Sequence, residues 1–251
     1  MAADAMTMDG FRADRINLRP VLAGLSALVL ILGAGGLYAT VHRDAAVGRL
    51  QVQGPFKHVP PDQIRAVAAE QIGSGFLAVD LDQLRAQLER LPWVEHARVE
   101  RVWPDDLRIR VWEREPFARW GDKGLLSTQA VAFEPEAKDL VQELPQLFGP
   151  PGHEREVMEA YRRLSPKLAA TPFPLQRLGM NARGEWLAYT SGGIELRLGQ
   201  GEPDAKLDTI AGPMVRALGQ RLAEVNYVDL RYTNGFAVAW RVPVDAAGGK
   251  K

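Results

Sequence analysis

The chain has 251 residues, 46% hydrophobic and 25% charged, a globular composition with room for one or two domains. Its 31 Lys and Arg balance 31 Asp and Glu, so it lacks the basic field that a nucleic-acid binder uses. It contains no cysteine, which excludes disulfides, thiolate metal sites and cysteine nucleophiles.

The first element is an apolar run, Pro20–Val41, with no Asp, Glu, Lys, Arg or His between Arg19 and His42. A helix of that run is about 33 Å long, enough to cross the hydrocarbon core of a bilayer. The run predicts a single N-terminal transmembrane helix over residues 20–41, after a tail of residues 1–19. A cleaved secretory signal has a shorter apolar core and a small-residue cleavage site, which Ala45-Ala46 can mimic. That alternative stays open, as does a buried core helix. Arg12, Arg15 and Arg19 precede the run, while Arg43, Arg49 and Lys57 come after it, so charge hardly sets orientation. The tail is expected in the cytoplasm, because a signal-anchor near an N-terminus commonly exports the chain on its C-terminal side.

Beyond the run, Arg49–Gly54 reads as a short strand. Pro60 and Pro61 open a helix with Ile64, Val67, Ala68 and Ile72 at helical spacing, and Gly73-Ser74-Gly75 stops it. Asp80 caps a second helix whose Leu81, Leu84, Leu88 and Leu91 share a face, and Pro92 ends it. Two strands come next. Ala97, Val99, Leu107, Ile109 and Val111 alternate with Arg98, Glu100, Arg108 and Arg110, around a turn at Trp103-Pro104-Asp105-Asp106. The order strand–helix–helix–strand–strand describes a small domain with two helices on a small sheet.

After Pro116 short strands dominate: Leu125–Phe133, Trp186–Thr190, Ile194–Leu198, Tyr227–Tyr232 and Phe236–Val242. Gly192-Gly193 joins one pair, and Asn234-Gly235 joins the last as a two-residue hairpin. One helix is marked by Val157, Met158, Tyr161, Leu164 and Leu168. Another, around Asp204–Leu222, contains Pro213, which predicts a kink. The end of the chain, Gly248–Lys251, reads as unstructured.

Catalytic chemistry is sparse. The four histidines, His42, His58, His96 and His153, show no metal-ligand spacing and read as solvent-facing. The serines lie in no G-x-S-x-G or S-x-x-K setting, which argues against hydrolases and penicillin-binding transpeptidases. Gly199-Gln200-Gly201 precedes a helix, but Glu202 and Asp204 would repel an anion there, leaving a cap and turn. Neither Asp105-Asp106 nor Glu113/Glu115 is placed like a buried acid/base couple.

Aromatic residues and strand edges carry the interest instead. Trp93, Trp103, Trp112 and Trp120 read mostly as core or sheet-covering residues, with Trp112 on a wet face where it can touch a partner. The final strand, Phe236-Ala237-Val238-Ala239-Trp240, alternates large and small residues and is the last in sequence, and a strand that ends a sheet must be shielded or used. Pro243 and a polar tail can blunt it. Alternatively a partner strand can add there, anchored by Tyr232, Phe236 or Trp240.

Two segments carry a resemblance. One is Trp93-Val94, Ala97, Val99, Arg101, Trp103-Pro104, Leu107, Ile109, Val111, Glu113, Pro116, Ala118 and Trp120; the other is VDLRYTNGFAVAW, Val228–Trp240. Both resemble the FtsQ/DivIB family of bitopic bacterial cell-division proteins, and the similarity runs from the anchor to about Val242. The resemblance implies an α+β fold: a single transmembrane helix (20–41), a POTRA domain (49–117), and a mainly antiparallel β domain with interspersed helices (118–243), then a disordered tail (244–251). It implies a non-enzymatic scaffold with no cofactor, in the inner membrane at the division septum, its domains periplasmic. Its partners would be FtsB and FtsL, with FtsK reached through the POTRA domain, and it would help control septal cell-wall synthesis. The partner-binding positions are Arg231, Tyr232, Asn234, Gly235, Phe236 and Trp240, with Arg183 before Trp186 matching a further arginine of the family. This favours a binding edge over a blunted one. Ser127 and Ala130 stand where the family usually has Asp and Gly, and Phe236 is bulkier than the usual residue. Two other classes remain to be weighed. An outer-membrane POTRA assembly factor needs a many-stranded barrel, and an anchored cell-wall enzyme needs a nucleophile or acid pair that is not visible.

Overall fold

A computed structural model describes residues 19–41, 46–73, 75–140 and 143–241. The two expected tails, residues 1–18 of the first and all of 244–251, lie outside the described residues, as does Val242 at the end of the last expected strand.

Helix α1 runs Arg19–Val41, the extent expected for the apolar run. Its side chains are described from residue 24 to 38 and are exposed throughout, Leu30 reaching 72%. Among the described residues no helix is long and apolar enough to cross a membrane.

The first domain has the expected order: β1 (Leu50–Gln53), α2 (Pro61–Ile72), α3 (Leu81–Leu88), β2 (Val94–Val102) and β3 (Asp106–Glu113). Proline at the first turn costs α2 no hydrogen bond. Asp80 caps α3, accepting from the backbone N–H groups of Asp82 and Gln83. The sheet has the order β1-β3-β2, with β1 parallel and β2 antiparallel to β3. Apolar alternation turns Leu107, Ile109 and Val111 onto Ile64, Ala68, Leu84 and Leu88, all essentially inaccessible to solvent.

The second domain builds a mixed sheet, ordered β12-β11-β10-β9-β8-β7-β4-β5-β6. Its strands are β4 (Pro116–Trp120), β5 (Gly124–Ser127), β6 (Ala132–Phe133), β7 (Gln146–Phe148), β8 (Leu175–Met180), β9 (Trp186–Thr190), β10 (Glu195–Gly199), β11 (Val225–Asp229) and β12 (Ala237–Trp240). Five neighbouring pairs are antiparallel, and β10–β11, β4–β7 and β7–β8 are parallel. The parallel pairs are the ones that helical crossovers or long connections allow. Helix α4 (Glu154–Ala169) and the helical segment 203–224 cover one face. Val157, Leu164, Ile210, Met214 and Leu218 pack there on Leu147, Leu178, Ala188, Leu196 and Val228.

Several expectations are corrected. The strand expected at Leu125–Phe133 is two strands, broken by a turn in which Ala130 adopts φ +61° and the Ser127 hydroxyl accepts from Gln129 and Val131. Strands β4, β7 and β8 lack a strong alternation, and sequence patterning does not predict them. The helix near Pro213 is not simply kinked: a π-helical turn, Ile210–Met214, absorbs the missing N–H between short α and 3₁₀ pieces. His58 is only partly exposed; its ring stacks on Trp93, centroids 3.7 Å apart, where Glu113 holds the backbone of residues 57–59. Trp103 is 61% exposed rather than core.

The domains share apolar packing. Leu125 and Phe133 join the first domain's core, where Phe133 meets Trp93 edge-on at 5.2 Å. Glu113, at the end of β3, accepts from the backbone N–H groups of Lys57, His58 and Val59 and ties the linker down.

Candidate functional site

β12 ends the nine-stranded sheet, and among the described residues no strand pairs along its outer side. Its inner side pairs with β11: Ala237 opposite Asp229, Val238 opposite Val228, Ala239 opposite Tyr227 and Trp240 opposite Val225. The sequence alternates small and large residues and carries neither charge nor proline over Ala237–Trp240, although the strand is short and its pairing with β11 is irregular between Val225 and Tyr227.

The connection between β11 and β12 runs through residues 230–236, so Asn234-Gly235 is not a two-residue hairpin. That turn needs positive φ at both central residues, and neither Asn234 nor Gly235 has it. The chain instead stays with β10 one residue longer, Leu230 N–H donating to the Arg197 carbonyl at 2.8 Å. It then loops outward. Lys206 Nζ donates to the Tyr232 carbonyl at 3.2 Å and holds the loop from the side of the helical segment.

A guanidinium–carboxylate clamp braces the root of this loop. Arg231 donates to Asp229 from Nε at 2.9 Å and from Nη2 at 2.6 Å, and its Nη1 lies 3.9 Å from Glu185. Asp229 is 6% exposed, and the Arg231 hydrogen bonds hold its carboxyl below the ordinary value of 3.8. The same contact with Asp229 raises the Arg231 guanidinium further. Gly199, at φ +83°, lies beneath this side chain: a Cβ there would sit 3.1 Å from Arg231 Cγ.

The expected site residues fall in three places. Tyr232, Asn234 and Gly235 are exposed on the loop, Tyr232 at 58%, and with Phe236 they line a shallow concavity that reaches Ala237. Phe236 is half-buried and packs on the main core, so it supports the loop as well as lining it. Arg183 sits in the β8–β9 turn at the same end of the sheet, where its carbonyl accepts from Gln200. Trp240 lies at the far end of β12, 40% exposed, with the Arg221 guanidinium 4.1 Å above its ring. Tyr232 and Trp240 thus bracket the open strand. Sequence reading misses Asp229, Glu185 and Lys206, which position the loop. The i, i+2 spacing of Asp229 and Arg231 is the one available signal.

Residues 45–114 match the family described as POTRA domain, FtsQ-type. The first domain is therefore a POTRA domain, and the β-α-α-β-β order above is its frame. Residues 118–231 match Cell division protein FtsQ/DivIB, C-terminal. Similar proteins include the cell division protein FtsQ of Xanthomonas campestris pv. campestris, 39% identical over 207 residues that cover 82% of this chain and 73% of that protein. FtsQ of Burkholderia pseudomallei is 32% identical across 94% of this chain and 99% of its own length. FtsQ of Escherichia coli is 31% identical across 91% and 86%. The chain belongs to the FtsQ/DivIB family of bacterial cell-division proteins.

Proposed function

We propose that the chain is a membrane-anchored, non-enzymatic scaffold of the division machinery, which binds the FtsB–FtsL complex by adding a partner strand to β12. The observation that carries this reading is the uncharged end strand, its outer side open among the described residues and bracketed by Tyr232 and Trp240. Each backbone hydrogen bond added along such an edge contributes about 0.5–1.5 kcal/mol, and aromatic anchors at its ends add more. Arg183, Arg231, Asn234, Gly235 and Phe236 then shape the end of the sheet that receives the partner. FtsK is the proposed partner of the POTRA domain.

The charge-free run Pro20–Val41, the helical backbone over Arg19–Val41 and the exposed leucines of its middle support a single transmembrane anchor. On this reading residues 1–19 are cytoplasmic, and the POTRA domain (49–117) and β domain (118–243) are periplasmic at the septum.

The test is binding of the full chain, in detergent micelles, to purified FtsB–FtsL. Tyr232→Ala is expected to weaken binding by about 30-fold, roughly 2 kcal/mol, with Trp240→Ala acting in the same direction. The thermal midpoint of Tyr232→Ala should stay at the wild-type value. Unchanged affinity in a folded Tyr232→Ala protein removes Tyr232 from the interface, and a folded wild type that does not bind removes the partner.

A further inference from the structure

The first domain has two ends with different neighbours. One runs through Arg114 and Glu115 into β4. The other gathers the start of β1, the β2–β3 turn and the loop between α2 and α3. At this second end the chain entering the domain is stitched to the turn: Gly48 N–H donates to the Asp105 carbonyl, and Leu107 N–H to the Arg49 carbonyl, both at 2.9 Å.

Trp103 stands in that turn. Outside α1 it is the most exposed large hydrophobic side chain among the described residues, at 61%. It is also held firmly. Its ring meets Phe76 edge-on with centroids 5.5 Å apart, and Phe76 is 1% exposed. Arg101, two residues before it, donates to the carbonyls of Phe76, Leu77 and Val79, so turn and loop form one corner. The indole is thus braced against Phe76 and largely open to its surroundings.

The corner is also the part of the domain tied most closely to α1. Helix α1 ends at Val41, and Gly48 lies seven residues later. Even fully extended, that tether spans only about 25 Å. Resting on the membrane-anchor reading above, we propose that Trp103 seats in the headgroup layer of the bilayer holding α1, so that the POTRA domain rests on lipid by its β2–β3 corner. The headgroup region selects indole rings, because the ring is apolar while its N–H remains hydrated. The corner carries two arginines, Arg49 and Arg101, and two aspartates, Asp105 and Asp106, so the contact depends on the ring and not on anionic lipid. Docked this way, the domain points its opposite end, and with it the β domain, away from the membrane.

The test uses the full chain in bilayers whose acyl chains carry bromine near the headgroups, reading quenching of tryptophan emission. Trp103→Phe is expected to remove about half or more of the lipid-dependent quenching of the six tryptophans. Trp112→Phe should leave it unchanged, since Trp112 lies at the far end of β3. Trp103→Tyr repeats the comparison with an interfacial aromatic retained. A Leu30→Trp substitution in the Trp103→Phe background, read in bilayers brominated near the ends of the acyl chains, reports on α1 separately, because residue 30 lies at the middle of the helix. Strong quenching of Trp at position 30, with no difference between wild type and Trp103→Phe, overturns the corner contact and leaves the anchor standing. No quenching at position 30 overturns the anchor and the proposal together.

Discussion

The two ends of the nine-stranded sheet are finished in opposite ways. β6 has two residues, and one of them, Phe133, turns into the POTRA core against Trp93. β12 has four residues without charge, and among the described residues nothing pairs with its outer side. A strand edge is a row of unpaired N–H and C=O groups that must be shortened, covered or used. One edge is kept to two residues and anchored by a side chain in the neighbouring domain's core, and the other is the edge proposed above to receive a partner. The open edge is braced by the Asp229–Arg231 clamp, by Lys206, by Phe236 and Val238 on the core, and by Arg241, whose guanidinium donates to the carbonyls of Val225, Gly192 and Gly193.

The comparison can be broken at either end. Phe133→Ala should have the largest effect, because it opens a cavity where both domains meet: a loss of about 3–5 kcal/mol in urea unfolding, felt by both domains. An unchanged midpoint would mean that Phe133 covers the edge without holding the domains together.

At the open end, Asp229→Asn removes the negative charge of the Arg231 clamp and replaces one of its two acceptor oxygens with a donor. It should lower the thermal midpoint at neutral pH by about 2–4 °C and weaken FtsB–FtsL binding, since the loop carrying Tyr232 loses its brace. The pH dependence has a definite sign. The folded protein holds Asp229 below its ordinary value of 3.8, so the clamp's stabilisation is complete above that ordinary value and is lost as pH falls through the lower folded one. Wild type and Asp229→Asn should therefore converge in stability under acid; a difference that persists there assigns the loss to packing. The smallest effect is expected from Arg221→Ala, which strips the cation from the Trp240 ring. It should change partner affinity by about twofold to fivefold with no change in midpoint, as expected for an exposed cation–π contact. No change at all would place Trp240 outside the contact.

Much of the fold is legible in the sequence. The POTRA elements come from local signals: proline at the start of α2, Asp80 as a cap, leucines at helical spacing and two alternating strands. Each depends on neighbours within a few residues. Strands β4, β7 and β8 are not legible, because a strand inside a mixed sheet draws its stability from partners far along the chain. The Asn234-Gly235 pair shows the converse failure. Its local preference for a tight hairpin gives way to the continued β10–β11 pairing at Leu230 and the Lys206 contact at Tyr232. The candidate site divides in the same manner. Tyr232 and Trp240 stand out as aromatics near the last strand, whereas Asp229, Glu185 and Lys206 draw no notice because each acts through a residue brought near by folding.

By itself the sequence determined the apolar run, the helix caps, the alternation of the two POTRA strands and the family resemblance, all properties of short segments. Only the tertiary structure decided that β12 ends the sheet, that Phe133 of β6 packs into the other domain's core and that Trp103 stands exposed at the corner nearest the tether. Those outcomes depend on which strand lies beside which, and pairing across a sheet is set by the whole core packed beneath it.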